Sequence, residues 1–191
     1  YQARVQITDG NSTVLSEPVE IQVGNPPGVT VDQPLDGAFF RAGEVISFSG
    51  TATDPDQLLQ ESDYSWTIRF GHNTHTHPSV TGQEGSSGTF EVNTSGHDYH
   101  GDTRYEFELA VTDEDGLTTT DVVTVYPDKA NVQLSTSPIN TNVFLDGVPL
   151  QTPITYDSLI NFSHLVSVAG QVCVDGIQYN FESWSDNGAL S

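Results

Sequence analysis

Histidine is the residue type in this sequence whose spacing most clearly points to chemistry. Five of the six histidines fall between residues 72 and 100 of the chain. Neutral imidazole is a good ligand for Zn²⁺, Cu²⁺ and Ni²⁺, and a neighbouring carboxylate can either ligate the ion or orient an imidazole. Because His75 and His77 are two positions apart, they share one side of a strand. On an ideal strand His72 would point to the other side, but Gly71 and Pro78 bracket the segment and indicate irregular backbone. These histidines are therefore candidate ligands of a transition metal ion.

The other histidines of this group lie in a segment bounded by glycines, which predicts a loop. Two loops at one end of a β-sandwich would bring three or more imidazoles together. The candidate ligands, in order of preference, are His75, His77 and His97, then His72 and His100, then Asp98 and Asp102 as ligands or as partners that orient an imidazole. The alternative is that the histidines are solvated, or that they hydrogen-bond one another and hold two loops together.

Pairs of aspartates two residues apart form the second group of candidate ligands. They are Asp54 with Asp56 and Asp113 with Asp115, and each pair follows a predicted strand. Ca²⁺ takes six to eight oxygen ligands in flexible geometry, which aspartate-rich turns can supply. Alternatively, the aspartates simply form the turns, with their side chains capping local backbone amides.

The composition restricts the class of partner. The chain has 26 acidic and 5 basic side chains, which gives a formal net charge of −21. Such a surface repels phosphate, so nucleic acid and anionic membranes are poor partners and cations are the natural counterpart. No apolar run approaches the ~20 residues of a membrane span, so no membrane insertion is predicted. With 35% hydrophobic and 9% aromatic residues, the chain can build a packed core.

The elements that must position these residues are predicted to be β-strands. Apolar residues alternate with polar ones over most of the chain, and helical periodicity is missing. In the clearest segment, Tyr64, Trp66, Ile68 and Phe70 share one face, which makes Trp66 the predicted core tryptophan. Glycine and proline recur between the strands, as is typical of β-sandwiches. The predicted fold class is all-β.

An internal repeat indicates how the chain is divided. Residues 1–10 (YQARVQITDG) match the segment from Tyr105 to Asp113, and a strand rich in threonine and valine follows both. Residues 1–24 are therefore predicted to be the last strands of a truncated preceding sandwich, and residues 25–127 a complete immunoglobulin-like one. Residues 128–191 are predicted to form a small C-terminal β module, also truncated. The prediction is thus of tandem sandwiches followed by a small β module.

Several stretches carry a family resemblance. Residues 50–56 (GTATDPD) and 111–117 (VTDEDGL) resemble bacterial polycystic-kidney-disease (PKD) type immunoglobulin-like domains. Residues 34–43, 71–78 and 181–188 resemble the accessory region that follows the catalytic propeller in secreted bacterial glucose/sorbosone dehydrogenase-like proteins. The resemblance implies a secreted bacterial protein, extracellular or at the cell surface, with calcium at the aspartate-rich turns. Nothing in the chain resembles the propeller, so no dehydrogenase activity is implied.

The favoured function is that of a non-catalytic accessory or spacer module of a larger secreted protein, with neighbouring domains of the same polypeptide as its partners. The module would hold Zn or Cu at the histidines and Ca²⁺ at the aspartate-rich turns. The chain is not predicted to be an enzyme, because it has no Gly-x-Ser-x-Gly nucleophile motif and Cys173 has no histidine nearby in sequence.

Three alternatives belong to other functional classes. A carbohydrate-binding module would stack a polysaccharide on an exposed aromatic side chain, for which Trp184 is the candidate. A structural subunit of an adhesin or surface filament would bind like subunits, for example by strand exchange. An enzyme that uses a metal ion at the histidines would need an open coordination position and a substrate cleft.

Overall fold

The computed structural model describes residues 1–21, 23–96 and 98–186. Within these ranges the regular secondary structure consists of β-strands and one short 3-10 helix at Glu61–Asp63, so the predicted all-β class is confirmed. None of the described helices has the length and apolar character that crossing a membrane requires.

The strands are short and follow one another throughout the chain. In the first half they are β1 (Gln2–Ala3), β2 (Gln6–Thr8), β3 (Thr13–Leu15), β4 (Val19–Glu20), β5 (Gly28–Gln33), β6 (Phe39–Phe40), β7 (Val45–Thr53), β8 (Tyr64–His72), β9 (His75–Glu84) and β10 (Ser87–Glu91). In the second half they are β11 (Thr103–Thr112), β12 (Thr118–Pro127), β13 (Lys129–Leu134), β14 (Asn142–Leu145), β15 (Val148–Gln151), β16 (Ile154–Leu159), β17 (Val166–Ser167), β18 (Gln171–Val174) and β19 (Ile177–Asn180).

The chain divides into two compact units, each built from several segments. Unit 1 comprises Tyr1–Ala38, Ser47–Phe90 and Tyr105–Val125. Unit 2 comprises Phe39–Ile46, Glu91–Arg104 and Tyr126–Ser191. The predicted domains were continuous stretches that end at residues 24 and 127, whereas each of these units combines several segments. The predicted boundaries stay a prediction.

Two of the sheets in unit 1 pack their apolar faces together. One sheet has the strand order β10-β7-β5, and the other contains β12, β11, β8 and β9 in that order. Phe48 of β7 contacts Trp66 of β8 and Phe107 of β11, with ring centroids 4.7 and 6.0 Å apart. Trp66 is fully buried and its indole N–H donates to the Gly85 carbonyl over 3.0 Å. The predicted core tryptophan is therefore confirmed, and the alternating pattern has placed one face of β8 in a sandwich core.

The two copies of the sequence repeat form the same kind of hairpin. Strand β2 pairs with β3 so that Thr8 lies opposite Thr13, just as β11 pairs with β12 so that Thr112 lies opposite Thr118. Their burial differs, because Ile7 is 68% exposed whereas Val111, on the same face of the second copy, is 0% exposed. The local sequence thus sets the hairpin, and the surrounding sheets decide whether its apolar face is covered.

Unit 2 is assembled from small sheets. Strand β13 pairs with β16, β14 lies between β15 and β17, and β18 pairs with β19, while β6 pairs in parallel with the last two residues of β12. Asp146 and Gly147 join β14 to β15, and both have positive φ, of 51° and 83°. This is the backbone that a type I′ hairpin turn needs. The turn presents the Asp146 carboxylate to the polar side chains described below.

Candidate metal-binding site

Three histidines lie around the tight turn that joins β8 to β9. The turn is Asn73 and Thr74, with Asn73 at a φ of 50°, and His72 is paired directly with His75 across the hairpin. Residues directly opposite each other in an antiparallel pair point to the same face. His72 therefore shares a face with His75, and His77 follows two residues later on that face. The prediction that His72 faces the other side is wrong, because the chain reverses between His72 and His75.

The three imidazoles, which we call the histidine cluster, are within coordinating distance of one another. One ring nitrogen from each of His72, His75 and His77 lies within 4.8 Å of the others. The Nε2 atoms of His72 and His77 are 3.1 Å apart. With metal–nitrogen distances near 2.0–2.1 Å, two ligands are about 2.9 Å apart at a right angle and about 3.3 Å apart at the tetrahedral angle. The observed separation lies between these values.

The same distance fits a hydrogen bond between two neutral imidazoles, one acting as donor and the other as acceptor. The ring centroids of His72 and His75 are 3.9 Å apart, and those of His75 and His77 are 5.0 Å apart. The histidine cluster therefore has the geometry of either a three-nitrogen metal site or a set of mutually hydrogen-bonded rings. Metal titration distinguishes the two.

The histidine cluster continues the inward face of β8 beyond the core. Phe70 is buried and its ring lies 5.9 Å from that of His72, which is itself half-buried. His75 and His77 are exposed. One candidate ligand thus lies against the core and two are exposed to solvent, where an ion could reach them. Three protein ligands leave at least one coordination position for water.

The other predicted metal ligands do not join the histidine cluster among the residues that the structure describes. His97 lies outside the described residues. His100 belongs to unit 2, where its ring stacks on Tyr156 with centroids 4.3 Å apart and forms an ion pair with Asp157. Asp98 accepts a hydrogen bond from the His100 backbone N–H over 2.8 Å and one from the Tyr156 hydroxyl. Asp102 is exposed in a bend.

Asp157 is the centre of the polar group around His100. It accepts hydrogen bonds from Lys129 Nζ over 2.9 Å and from the Gly101 N–H over 3.2 Å, besides pairing with His100. Partial burial by itself raises the pKa of Asp157. The hydrogen bond and charge of Lys129, the charge of His100 and the Gly101 N–H together lower it by more, so the pKa lies below its usual value. The predicted ligand His100 thus has a structural partner within unit 2.

Replacing Lys129 with methionine is expected to destabilise unit 2 by about 1–2 kcal/mol at pH 7, because Asp157 would lose its main cationic donor. A carboxylate whose pKa is lower in the folded state stabilises that state when the solution pH is above the pKa of the unfolded state, about 3.9. The stabilisation is lost as the pH falls through the pKa of the folded state. The difference in unfolding free energy between wild type and Lys129→Met, measured by urea unfolding, should therefore shrink as the pH falls below about 3.9. Arg41→Met, which breaks the more exposed ion pair with Asp128, is the matched control and should cost less than about 0.5 kcal/mol.

The aspartate pairs predicted to bind calcium act as caps of local backbone. Asp54 Oδ1 accepts from the N–H groups of Asp56 and Gln57 over 2.7 and 3.1 Å, and Asp113 Oδ1 accepts from that of Leu117 over 2.7 Å. The fourth, Asp115, is exposed. No three ligand atoms from these aspartates come within 4.8 Å of one another in the described ranges. Their geometry matches the turn-forming alternative, and calcium binding stays a prediction.

A group that the sequence analysis did not find surrounds the sixth histidine, His164. Its Nε2 lies 2.6 Å from Ser158 Oγ and its Nδ1 lies 2.6 Å from Asp146 Oδ2. Because a carboxylate only accepts, Nδ1 carries the proton, and in the neutral ring Nε2 accepts from the Ser158 hydroxyl. This is the hydrogen-bond order of a serine hydrolase triad. No short motif links the three positions, so only the fold brings them together.

Burial argues that this triad is structural. Ser158 is 6% exposed. The adjoining cavity of about 390 Å³ is lined by Asp146, His164 and neighbouring residues, and Ser158 is not in its lining. A nucleophile must reach its substrate, whereas a buried hydroxyl needs a hydrogen-bond partner. We assign the Ser158–His164–Asp146 group to stabilising unit 2.

Comparison with known proteins adds no relative. No family model matches the chain. Neither the curated proteins nor the solved structures contain a match. The resemblance to PKD-type domains and to the accessory region of glucose/sorbosone dehydrogenase-like proteins therefore stays a prediction, and the functional argument depends on the geometry alone.

Trp184, the predicted sugar-stacking residue, lies in the C-terminal part of unit 2. It is half-buried and its ring centroid is 5.4 Å from that of Phe181. Both residues line a cavity of about 700 Å³. The two tryptophans of the chain thus differ, since Trp66 is buried in unit 1 and Trp184 faces a cavity.

Proposed function

We propose that this chain is a non-catalytic, metal-binding accessory module of a longer extracellular polypeptide, and that the histidine cluster binds one Zn²⁺ or Cu²⁺ ion. The observation that supports the proposal most is the convergence of three ring nitrogens within 4.8 Å at the end of one hairpin. The all-β fold and the exposure of His75 and His77 are consistent with a module that takes up an ion from solution.

The ligand atoms favour a transition metal over calcium or magnesium. Imidazole nitrogen suits Zn²⁺ and Cu²⁺, whereas Ca²⁺ and Mg²⁺ prefer oxygen. The net charge of −21 raises the local concentration of cations and so supports capture without contributing to selectivity. Selectivity would come from the three nitrogens.

The bound ion would act by cross-linking the two strands of the β8–β9 hairpin beyond the core. His72 precedes the turn and His75 and His77 follow it, so one ion joins both strands. An ion that binds only the folded state stabilises it by about 2.7 kcal/mol at a free concentration 100 times the dissociation constant. This stabilisation by a bound ion would suit an extracellular spacer module, which has to stay rigid.

The test is calorimetric titration of the metal-free protein with Zn²⁺ and with Cu²⁺ at pH 7.5. We expect one equivalent of metal ion to bind. His75→Ala and His77→Ala should each weaken binding by more than about 100-fold, because loss of a residue that only orients a ligand already weakens metal binding by about 10–100-fold. His100→Ala is the matched control and should leave the affinity unchanged, because His100 pairs with Asp157 in unit 2.

The pH dependence provides a second readout. Imidazole ligands must be deprotonated, so binding should weaken steeply below about pH 6.5. A wild-type protein that binds no stoichiometric Zn²⁺ or Cu²⁺ would contradict the proposal. So would a binding event that survives in the His75→Ala/His77→Ala double variant, since the ion would then lie elsewhere.

A further inference from the structure

A cavity of unit 2 lies beside its C-terminal hairpin and the segment that precedes β14. Its volume is about 700 Å³, within the range of small-molecule binding sites in proteins. Its lining residues come from two parts of the chain, within residues 135–142 and within residues 168–185. Every residue that lines it belongs to unit 2.

One part of the lining is aromatic. It contains Tyr179, Phe181 and Trp184, all half-buried. Phe181 packs against Trp184 at an interplanar angle of 57°, which supports the indole from one side. Aromatic rings of this kind offer a large apolar surface that loses little conformational freedom on binding.

The part of the lining within residues 135–142 is rich in hydroxyl and amide groups, of which some already have partners. The Thr136 hydroxyl lies 2.6 Å from that of Thr152 and donates to the Ile139 carbonyl over 2.8 Å, so it fixes the shape of this segment. By contrast, the side chains of Asn142 and Ser135 are exposed and enter no hydrogen bond within the described part of the chain. These groups can therefore bond to a ligand without breaking an existing contact.

The charge of the cavity further restricts the ligand. Of the described residues that line it, Glu182 carries the only charge at neutral pH, and no lysine or arginine is present. A phosphate or a carboxylated ligand would meet a carboxylate without a cation to balance it, in a chain of net charge −21. A ligand that combines an apolar face with many uncharged hydroxyl groups matches both parts of the lining.

We propose that this cavity binds a neutral oligosaccharide, with the apolar face of one sugar ring against Trp184 and its hydroxyl groups hydrogen-bonded to Asn142 and Glu182. Sugar rings have C–H groups on one face and hydroxyl groups around the edge, so a cavity lined by both aromatic rings and polar groups is complementary to them. The site lies in unit 2 and does not involve the histidine cluster, which lies in unit 1.

The test is titration with cellohexaose, xylohexaose, mannohexaose and chitohexaose in buffer that contains EDTA. Binding is detected by the quenching of tryptophan fluorescence by acrylamide. Trp66 is 0% exposed, so the emission that acrylamide can quench comes from Trp184. We expect at least one neutral hexaose to protect Trp184 from quenching with a dissociation constant below about 1 mM. Trigalacturonic acid, a charged oligosaccharide, should give no protection.

Variants locate the site. Trp184→Ala should weaken binding, measured by calorimetry, by about 30-fold, which is typical of an aromatic anchor. Asn142→Ala should weaken it less and, because Asn142 is exposed, should fold normally. Phe39→Ala is the matched control for aromatic loss, since Phe39 is 71% exposed and does not line the cavity.

The outcomes separate this proposal from that of the metal site. No binding of any of the four neutral hexaoses at about 10 mM would overturn it, and so would binding that both Trp184→Ala and Asn142→Ala leave unchanged. The His75→Ala/His77→Ala double variant should bind sugar as the wild type does. A loss of metal binding with retained sugar binding, or the reverse, shows that the two sites fail independently.

Discussion

Replacing His164 with alanine is expected to lower the free energy of unfolding of unit 2 by about 2–4 kcal/mol. The variant leaves the buried Ser158 hydroxyl without its 2.6 Å partner and the Asp146 carboxylate without its 2.6 Å donor. It also removes the ring that packs against Phe162 and Tyr156, with centroids 5.1 and 5.9 Å away. Hydrogen exchange of the β14 and β16 amides is the direct measurement, because it reports on unit 2 alone.

The matched control is His75→Ala in metal-free buffer. It removes the same side chain from an exposed position and should change the stability by less than about 0.5 kcal/mol. Ser158→Ala should lower the free energy of unfolding by less than His164→Ala does, because it deletes one hydrogen bond and leaves the contacts of the His164 ring in place. An unchanged exchange rate in His164→Ala would contradict the structural role. So would labelling of Ser158 by a fluorophosphonate, which requires an accessible, activated hydroxyl.

The pH profile provides a further check on the His164–Asp146 bond. Partial burial raises the pKa of Asp146, but the hydrogen bond to His164, the Leu165 N–H and the charge on His164 lower it by more, so the pKa lies below its usual value. A depressed folded pKa gives stability that is present above about pH 3.9 and lost as the pH falls through the folded pKa. As the pH falls below about 3.9, the stability of His164→Ala should therefore change less than that of the wild type.

Local patterns predicted the strands because period-two alternation needs only neighbouring residues. Tyr64, Trp66 and Ile68 share a buried face for that reason. The same reasoning failed at His72, because the face of a residue beyond a turn depends on the length of the turn. Asn73 and Thr74 form a two-residue turn, and this places His72 opposite His75. A turn one residue longer would have changed the pairing.

Contacts between distant residues could not be predicted. His100 was grouped with His75 by proximity in sequence, yet its partners are Tyr156 and Asp157, which are more than fifty residues away. Asp146, Ser158 and His164 carry no motif, and the fold of unit 2 brings them together. The histidine cluster was partly predictable because a single hairpin contains all its members.

Replacing Gly50 with alanine is the second change with a large expected effect, a loss of about 3 kcal/mol in the stability of unit 1. Gly50 lies in β7, the central strand of the β10-β7-β5 sheet. A Cβ there would be 2.3 Å from a Leu109 methyl carbon and 2.9 Å from the Thr30 carbonyl oxygen. A side chain can change rotamer, but the Thr30 carbonyl is part of the β5–β7 pairing and has no such freedom. The strands would have to separate.

Gly28 in the neighbouring strand β5 offers a matched control. A Cβ at this position would meet nothing closer than the Thr53 hydroxyl oxygen at 3.6 Å, an ordinary van der Waals contact. Gly28→Ala should therefore be neutral or stabilising by up to about 1 kcal/mol, since alanine restricts the unfolded chain more than glycine does. Urea unfolding monitored by tryptophan emission in a Trp184→Phe background measures both variants, because the emission then comes from Trp66, which lies in the same core. Equal stabilities for Gly50→Ala and Gly28→Ala would mean that the two sheets do not pack as closely as Phe48, Trp66 and Leu109 indicate.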